Sequence, residues 1–163
     1  MALAIAELQK GFLSPAQIAA SRTIMGLDRQ LVADRTYFIV EEVDDCGARI
    51  AGCGGWSRRA TLYGGDHTPG RDPELLDPAK DAARVRAMYT HPDFARRGVG
   101  RLILQLCEDA ARAEGFGRLE LMGTMSGRPL YESYGFEPIE EVIDPRGGAP
   151  VPLVRMGKPI PAC

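Results

Sequence analysis

Two spacings of apolar residues divide the middle of the chain. From Val99 onward, apolar side chains recur at helical intervals through Leu102, Ile103, Leu106, Ala110 and Ala113, while Glu108, Asp109, Arg112 and Glu114 fall elsewhere. The spacing predicts an amphipathic helix, stopped at Gly115, that lays one face on a sheet. Just upstream, apolar and polar residues roughly alternate over 83–90 and predict a strand, with Pro92 removing a backbone donor between strand and helix. Residues 118–122 read as the next strand. Strand, helix and strand thus form one unit, whose strands should be parallel and whose crossover should be right-handed.

The flanking segments follow the same logic. Residues 2–12 and 14–26 predict two helices, the second opened by the cap and first-turn pair Ser14-Pro15, carrying Ile18, Arg22 and Met25 at helical spacing, and closed by Gly26. Residues 36–43 are rich in strand formers, and Asp44-Asp45-Cys46-Gly47 is turn chemistry before a second strand at 48–57, which makes a hairpin. Gly52, Gly54 and Gly55 beside Trp56 mark a bend, a bulge or a close approach in that strand. Trp56 itself belongs either to the core or to an acceptor pocket. Residues 58–82 form a long polar connection rich in Gly and Pro, either a surface excursion or an active-site lid. A short helix at 127–135, with Pro129 in its first turn and Gly135 as its stop, precedes two strands at 137–143 and 151–157. Pro150 and Pro152 put the last strand at a sheet edge.

Candidate chemistry concentrates at Arg96-Arg-Gly-Val-Gly-Arg101. Gly98 and Gly100 sit where the long helix begins, so unpaired N–H groups and the positive end of its dipole face outward. Arg96, Arg97 and Arg101 crowd the same spot, and guanidinium groups suit bidentate phosphate contacts. A pyrophosphate is the expected guest. The run is not the dinucleotide fingerprint, because position 103 is Ile, and it lacks the Lys-Ser/Thr of a P-loop.

Composition narrows the classes further. A chain of 163 residues suits one domain, 1–163, with one core. A net charge of -2 argues against a nucleic-acid partner, leaving an RNA- or ribosome-associated factor built on the arginine cluster as a distant alternative. Glu7 and Lys10 interrupt the apolar start, and no apolar run approaches the roughly 18 residues of a membrane span. Neither a signal peptide nor a membrane association is expected, and a cytoplasmic location follows. Cys46, Cys53, Cys107 and Cys163 lack Cys-x-x-Cys spacing, so no metal site or disulfide framework is expected.

The run at 95–100, following a strand and His91-Pro92, resembles the acyl-CoA-binding motif of the GNAT superfamily of N-acetyltransferases, Gln/Arg-x-x-Gly-x-Gly/Ala. Ala95 at its first position is a departure. Leu130-Tyr-Glu-Ser-Tyr-Gly-Phe136 resembles the Leu/Phe-Tyr-Glu-x-x-Gly-Phe signature that the same family carries downstream. The likeness is good over 83–136, weaker over 36–57 and poor before 35. Thr124 is a second departure, where many members place an Asn that touches CoA.

The resemblance implies a mixed α+β fold of the GNAT acyl-CoA N-acyltransferase type: a mostly antiparallel sheet, a splayed parallel strand pair at 83–90 and 118–122, and flanking helices. It implies acetyl-CoA as co-substrate, with its pantetheine arm in the splay. Amides of Met88, Tyr89 and Thr90 would orient the thioester and stabilise the developing oxyanion. Arg96, Arg97, Gly98, Val99, Gly100 and Arg101 would hold the pyrophosphate, with Thr124 nearby. Tyr131 would protonate the departing thiolate, and Tyr134 would be structural. Glu120 on the second parallel strand is the candidate base, with Glu41, Glu42, His67 and His91 as lesser ones. The implied activity is direct acetyl transfer to a primary amine of a small molecule or peptide. The alternative is a non-catalytic acyl-CoA-binding module. Family members usually begin with a strand, and none is evident here. The early sheet edge near 36–43 is therefore expected to be covered by the N-terminal helices or by a second subunit, making a homodimer.

Overall fold

The computed structural model describes residues 1–45 and 47–161. Among these, six strands form one sheet: β1 (Tyr37–Asp44), β2 (Gly47–Ser57), β3 (Ala83–Thr90), β4 (Arg118–Thr124), β5 (Glu137–Asp144) and β6 (Val151–Pro159). Their order is β1-β2-β3-β4-β6-β5, and only β3 and β4 are parallel neighbours. The helices are α1 (Ala2–Glu7), α2 (Pro15–Ile24), α3 (Arg29–Ala33), α4 (Val99–Ala113) and α5 (Arg128–Tyr134). This is the expected mixed α+β architecture. No helix among the described residues is long and apolar enough to cross a membrane.

Helix α4 covers one face of the sheet, but its buried stripe is rotated from the expected one. Val99, Ile103, Leu104, Cys107 and Ala111 are buried, while Leu102 is 47% exposed and Ala113 is exposed. Apolar residues at 102, 103, 104, 106 and 107 make an arc wider than the sheet can cover, so docking chooses within it. Glu108 is drawn into the interface because Arg112 and Lys158 pair with it, at 2.9 and 2.7 Å. Beneath α4 lie Trp56, Val85, Leu119, Leu121, Val154 and Met156. Trp56 is 2% exposed and edge-on to Phe116 at 5.9 Å, so it is a core residue.

The opposite face carries the N-terminal helices. Ala20 and Ile24 of α2 pack on Val151 and Leu153, and Ala4 and Ile5 of α1 pack on Tyr89. The first helix is shorter than the spacing predicts, ending at Glu7. Helix α3, too short to show a period, is opened by Asp28, whose carboxylate accepts the Gln30 N–H at 3.1 Å. No strand precedes Tyr37, and β1 is a sheet edge with Ile39 and Val43 exposed. The contacts of α1, α2 and α3 are mainly with β3, β6 and β2 rather than along β1.

The last strand is not at an edge. β6 runs between β4 and β5, and β5 is the edge. Pro152 is tolerated because β6 pairs with β4 only from Leu153 onward, so no ladder partner on that side needs its missing N–H. Of the four cysteines, Cys53 and Cys107 are free thiols, whereas Cys46 and Cys163 lie outside the described residues.

Candidate active site

The site begins where the parallel pair comes apart. β3 and β4 pair only at Ala83 with Leu119 and Arg84 with Glu120, after which the strands diverge. A bulge in β3 drives the divergence. Cys53 pairs with Tyr89 and Gly55 with Arg86, so Gly54 faces two residues, Ala87 and Met88. Ala87 has a left-handed φ of 52°, a conformation costing roughly 1–3 kcal/mol outside glycine. Its carbonyl is held by the Tyr37 hydroxyl at 3.1 Å. Gly54 permits the approach, because a Cβ there would sit 2.8 Å from the Met88 side chain and from Ile103. From Arg86 onward, backbone groups of β3 that face the gap lack a β4 partner and are free to bind an extended ligand.

At one end of this fork lies the start of α4. Gly98 caps the helix at φ 85° with nothing near its missing Cβ, so glycine is required there by conformation rather than by crowding. Arg96 is also left-handed, at φ 61°. The first N–H groups of α4 therefore face outward beside an exposed basic loop. Gly100 differs from expectation. A Cβ there would meet Leu130 of α5 at 2.6 Å, so its smallness serves helix packing as well as access. Arg97 is not merely solvated: it pairs with Glu42 and lies over the Phe94 ring at 5.1 Å, with Arg49 over the same ring. Arg101 lies over Tyr134 at 5.3 Å. His91 caps the turn at Pro92–Phe94, its Nδ1 accepting the Asp93 N–H.

On the other side of the fork is a cavity. Met25, Leu62, Met88, Met122 and Leu153 give it apolar walls, and Thr124 and Tyr131 close it from the β4 side. The Tyr131 ring lies against Gly127 and Gly123, whose added Cβ atoms would meet it at 2.8 and 3.1 Å. Its hydroxyl has no hydrogen-bond partner among the described residues. Burial pushes its pKa up to about 12, so the phenol keeps its proton over a wide pH range. Tyr134 is different: its hydroxyl donates to Gln105 at 3.2 Å, and Arg101 and Lys158 both sit over its ring. The Thr124 hydroxyl accepts the Gly127 N–H at 3.1 Å, so it organises the entry to α5 as well as facing the cavity.

The candidate bases do not gather here. Glu120, Glu41, Glu42, His67 and His91 all lie outside the cavity lining. Glu120 sits at the closed end of the fork, bound by Arg84 at 2.5 Å and Arg155 at 2.8 Å. Met88, Tyr89, Thr124 and Tyr131 line the cavity, whereas Thr90 and residues 96–101 lie outside it.

The residue that the motifs missed is Arg86, among the described residues the only charged side chain lining the cavity. An arginine between Val85 and Ala87 in a central strand was a visible signal. The connection 58–82 supplies the outer wall and is tied down rather than loose. Arg59 forks onto Asp34 at 2.7 and 2.9 Å, Tyr63 donates to Asp144 at 3.0 Å, and Thr68 donates to the Ile24 carbonyl at 3.0 Å.

A family model described as an acetyltransferase (GNAT) domain matches residues 33–138. The uncharacterized N-acetyltransferase YsnE of Bacillus subtilis is 27% identical over 125 residues, covering 74% of this chain and 68% of YsnE. Among solved structures, a GCN5-related N-acetyltransferase from Rhodopseudomonas palustris aligns with a TM-score of 0.65 at 17% identity, over 97% of this chain and 84% of that one. YncA from Salmonella typhimurium, solved with acetyl-CoA, aligns with a TM-score of 0.51 at 17% identity, over 70% of this chain and 60% of YncA. The likeness to the two solved structures is one of fold.

Proposed function

The chain belongs to the GNAT acetyltransferase family, and from that premise we propose that it transfers an acetyl group from acetyl-CoA directly to a primary amine. The observation that carries the reading is the fork. A strand pair opens at a bulge, a helix N-terminus with free N–H groups stands at one end, and a tyrosine with an unpartnered hydroxyl stands in the gap. The residues fit the co-substrate, because the cradle at 96–101 offers donors where a pyrophosphate needs them. Acetyl-CoA supplies the activated acyl group.

The rest is the work of the chain. Those amides among Met88, Tyr89 and Thr90 that face the gap hold the extended arm and stabilise negative charge on the acyl oxygen. Tyr131 donates its phenolic proton to the leaving sulfur, and the proton that the attacking nitrogen sheds passes through solvent to restore the phenol. Glu120, doubly bound by arginines, joins β3, β4 and β6 at the closed end of the fork and is a structural residue in this reading. Among the described residues no carboxylate lines the cavity, and in this reading the amine is selected as its free base. An apolar wall and a nearby guanidinium both disfavour the ammonium form.

The test is thiol release from acetyl-CoA by the purified protein against a panel of amines, amino acids, aminoglycosides and peptide N-termini. Release that depends on one acceptor class supports the enzyme. Tight CoA binding with no acceptor turned over would move the protein to the non-catalytic module.

A further inference from the structure

The acceptor cavity has one charged side chain in its lining, and that charge is positive. Arg86 is side-chain buried to 2% exposure, and its Nε is buried without a hydrogen-bond partner. Burial lowers its pKa to about 10, which still leaves it cationic near neutral pH. It is only partly neutralised. Asp28, fully buried, stands 2.7 Å from Arg86 through one oxygen and 2.7 Å from Arg71 through the other. Asp66 is shared in turn between Arg71 at 3.5 Å and Arg29 at 2.7 Å. Arg29 is 79% exposed and solvated, so behind the cavity wall the buried Asp28 carboxylate is shared by two guanidinium groups, those of Arg86 and Arg71. A second guanidinium N–H of Arg86 donates to the Gly64 carbonyl at 2.6 Å, which fixes the head group against the lining.

A polycation such as an aminoglycoside or polyamine needs acidic groups to receive its extra charges, and this lining has none. An acceptor with one amine, a compact apolar body and one carboxylate matches every part of it. Its anion gives Arg86 a second carboxylate partner beside Asp28, which Arg71 shares, and its body fits walls made by Met25, Leu62, Met122 and Leu153. Resting on the proposed acetyl transfer, we infer that the acceptor is a small amino acid-like compound whose carboxylate is recognised by Arg86.

The experiment uses acceptors matched in their apolar body: leucine against isopentylamine, and phenylalanine against phenethylamine, each with acetyl-CoA and a thiol-release readout, with kcat/KM expressed per free-base amine because the carboxylate also lowers the amine pKa. The expected result is a kcat/KM at least tenfold higher for the acid of each pair, the scale of one charge-assisted hydrogen bond. Arg86→Met should reduce that ratio to about one. Because Arg86 is buried and its variant can unfold, a second measurement uses the unaltered protein alone. Saturation-transfer NMR with 3-phenylpropionate, which has no amine to acetylate, should show binding that 3-phenylpropanol does not.

Equal or inverted rates within the pairs would overturn the inference and leave the acetyltransferase reading standing. So would turnover confined to polycations. If no amine is acetylated while 3-phenylpropionate binds selectively, the carboxylate site stands and the transfer reading falls. Failure of the propionate to bind selectively, with no turnover of any acceptor, overturns both.

Discussion

The two ends of the fork are built on opposite plans. The α4 end is one contiguous run, residues 96–101, whose proposed binding groups are backbone N–H donors on an exposed loop, with Arg97 held by Glu42 and Phe94 and Arg101 over Tyr134. The acceptor end is assembled from α2, the 58–82 connection, β3, β4 and β6, and its one charge is buried in a shared ion network. In the proposed reading, backbone donors recognise a group common to every CoA ester, and side chains around the cavity discriminate among amines. The difference teaches that substitutions at the first end should act on affinity, and those at the second on turnover and selectivity.

Tyr131 stands between the two ends and offers the largest effect. Tyr131→Phe should lower kcat by about a hundredfold to ten-thousandfold while leaving acetyl-CoA affinity nearly unaltered, as general acids typically contribute that much. With a folded-state pKa near 12, the phenol stays protonated, so turnover should rise as the acceptor amine loses its proton and should not fall by pH 10. A turnover loss below pH 9 in the native protein, or an equal small effect from Tyr134→Phe, would take the proton donor away from Tyr131.

Next in size is the cradle. Gly98→Val places a branched residue at φ 85° in open space, so it should weaken CoA binding roughly tenfold through conformational strain with a small effect on packing. Gly100→Val must also push against Leu130 and should lower the melting temperature. Calorimetry and thermal melts on both variants separate the two causes. Unaltered CoA affinity in folded Gly98→Val would place the anion site elsewhere.

The smallest effect is expected at Arg97. Because Glu42 and the Phe94 ring already hold its guanidinium, Arg97→Ala should cost only a few-fold in CoA affinity, more at low salt than at high salt. A loss as large as that of Gly98→Val would show that the arginine leaves Glu42 for the phosphate.

Sheet, long helix and its glycine-led start were legible in the chain because each depends on neighbours a few residues apart: period-two and period-3.6 spacing, a glycine at a helix start, a tyrosine in a short capped helix. Local signals failed where geometry is set across the sheet. The buried stripe of α4 was chosen by what lies beneath it, and the place of β6 by pairing with β4 and β5 rather than by its prolines. The bulge at Ala87 shows nothing in its own residues. It exists because Gly54 on the adjacent strand makes room and Tyr37, 50 positions away, holds the carbonyl. Glu120 read as a candidate base, whereas Arg84 and Arg155 close on it, and Arg86, which no motif singled out, is fixed in a cavity wall by Asp28 and the Gly64 carbonyl. Sequence alone determined the family and named the candidate cradle and proton donor, since those rest on local backbone conformation and contiguous motifs. Only the tertiary structure decided which charges are buried and which are spent on one another, because solvation and pairing belong to contacts between segments distant in the chain.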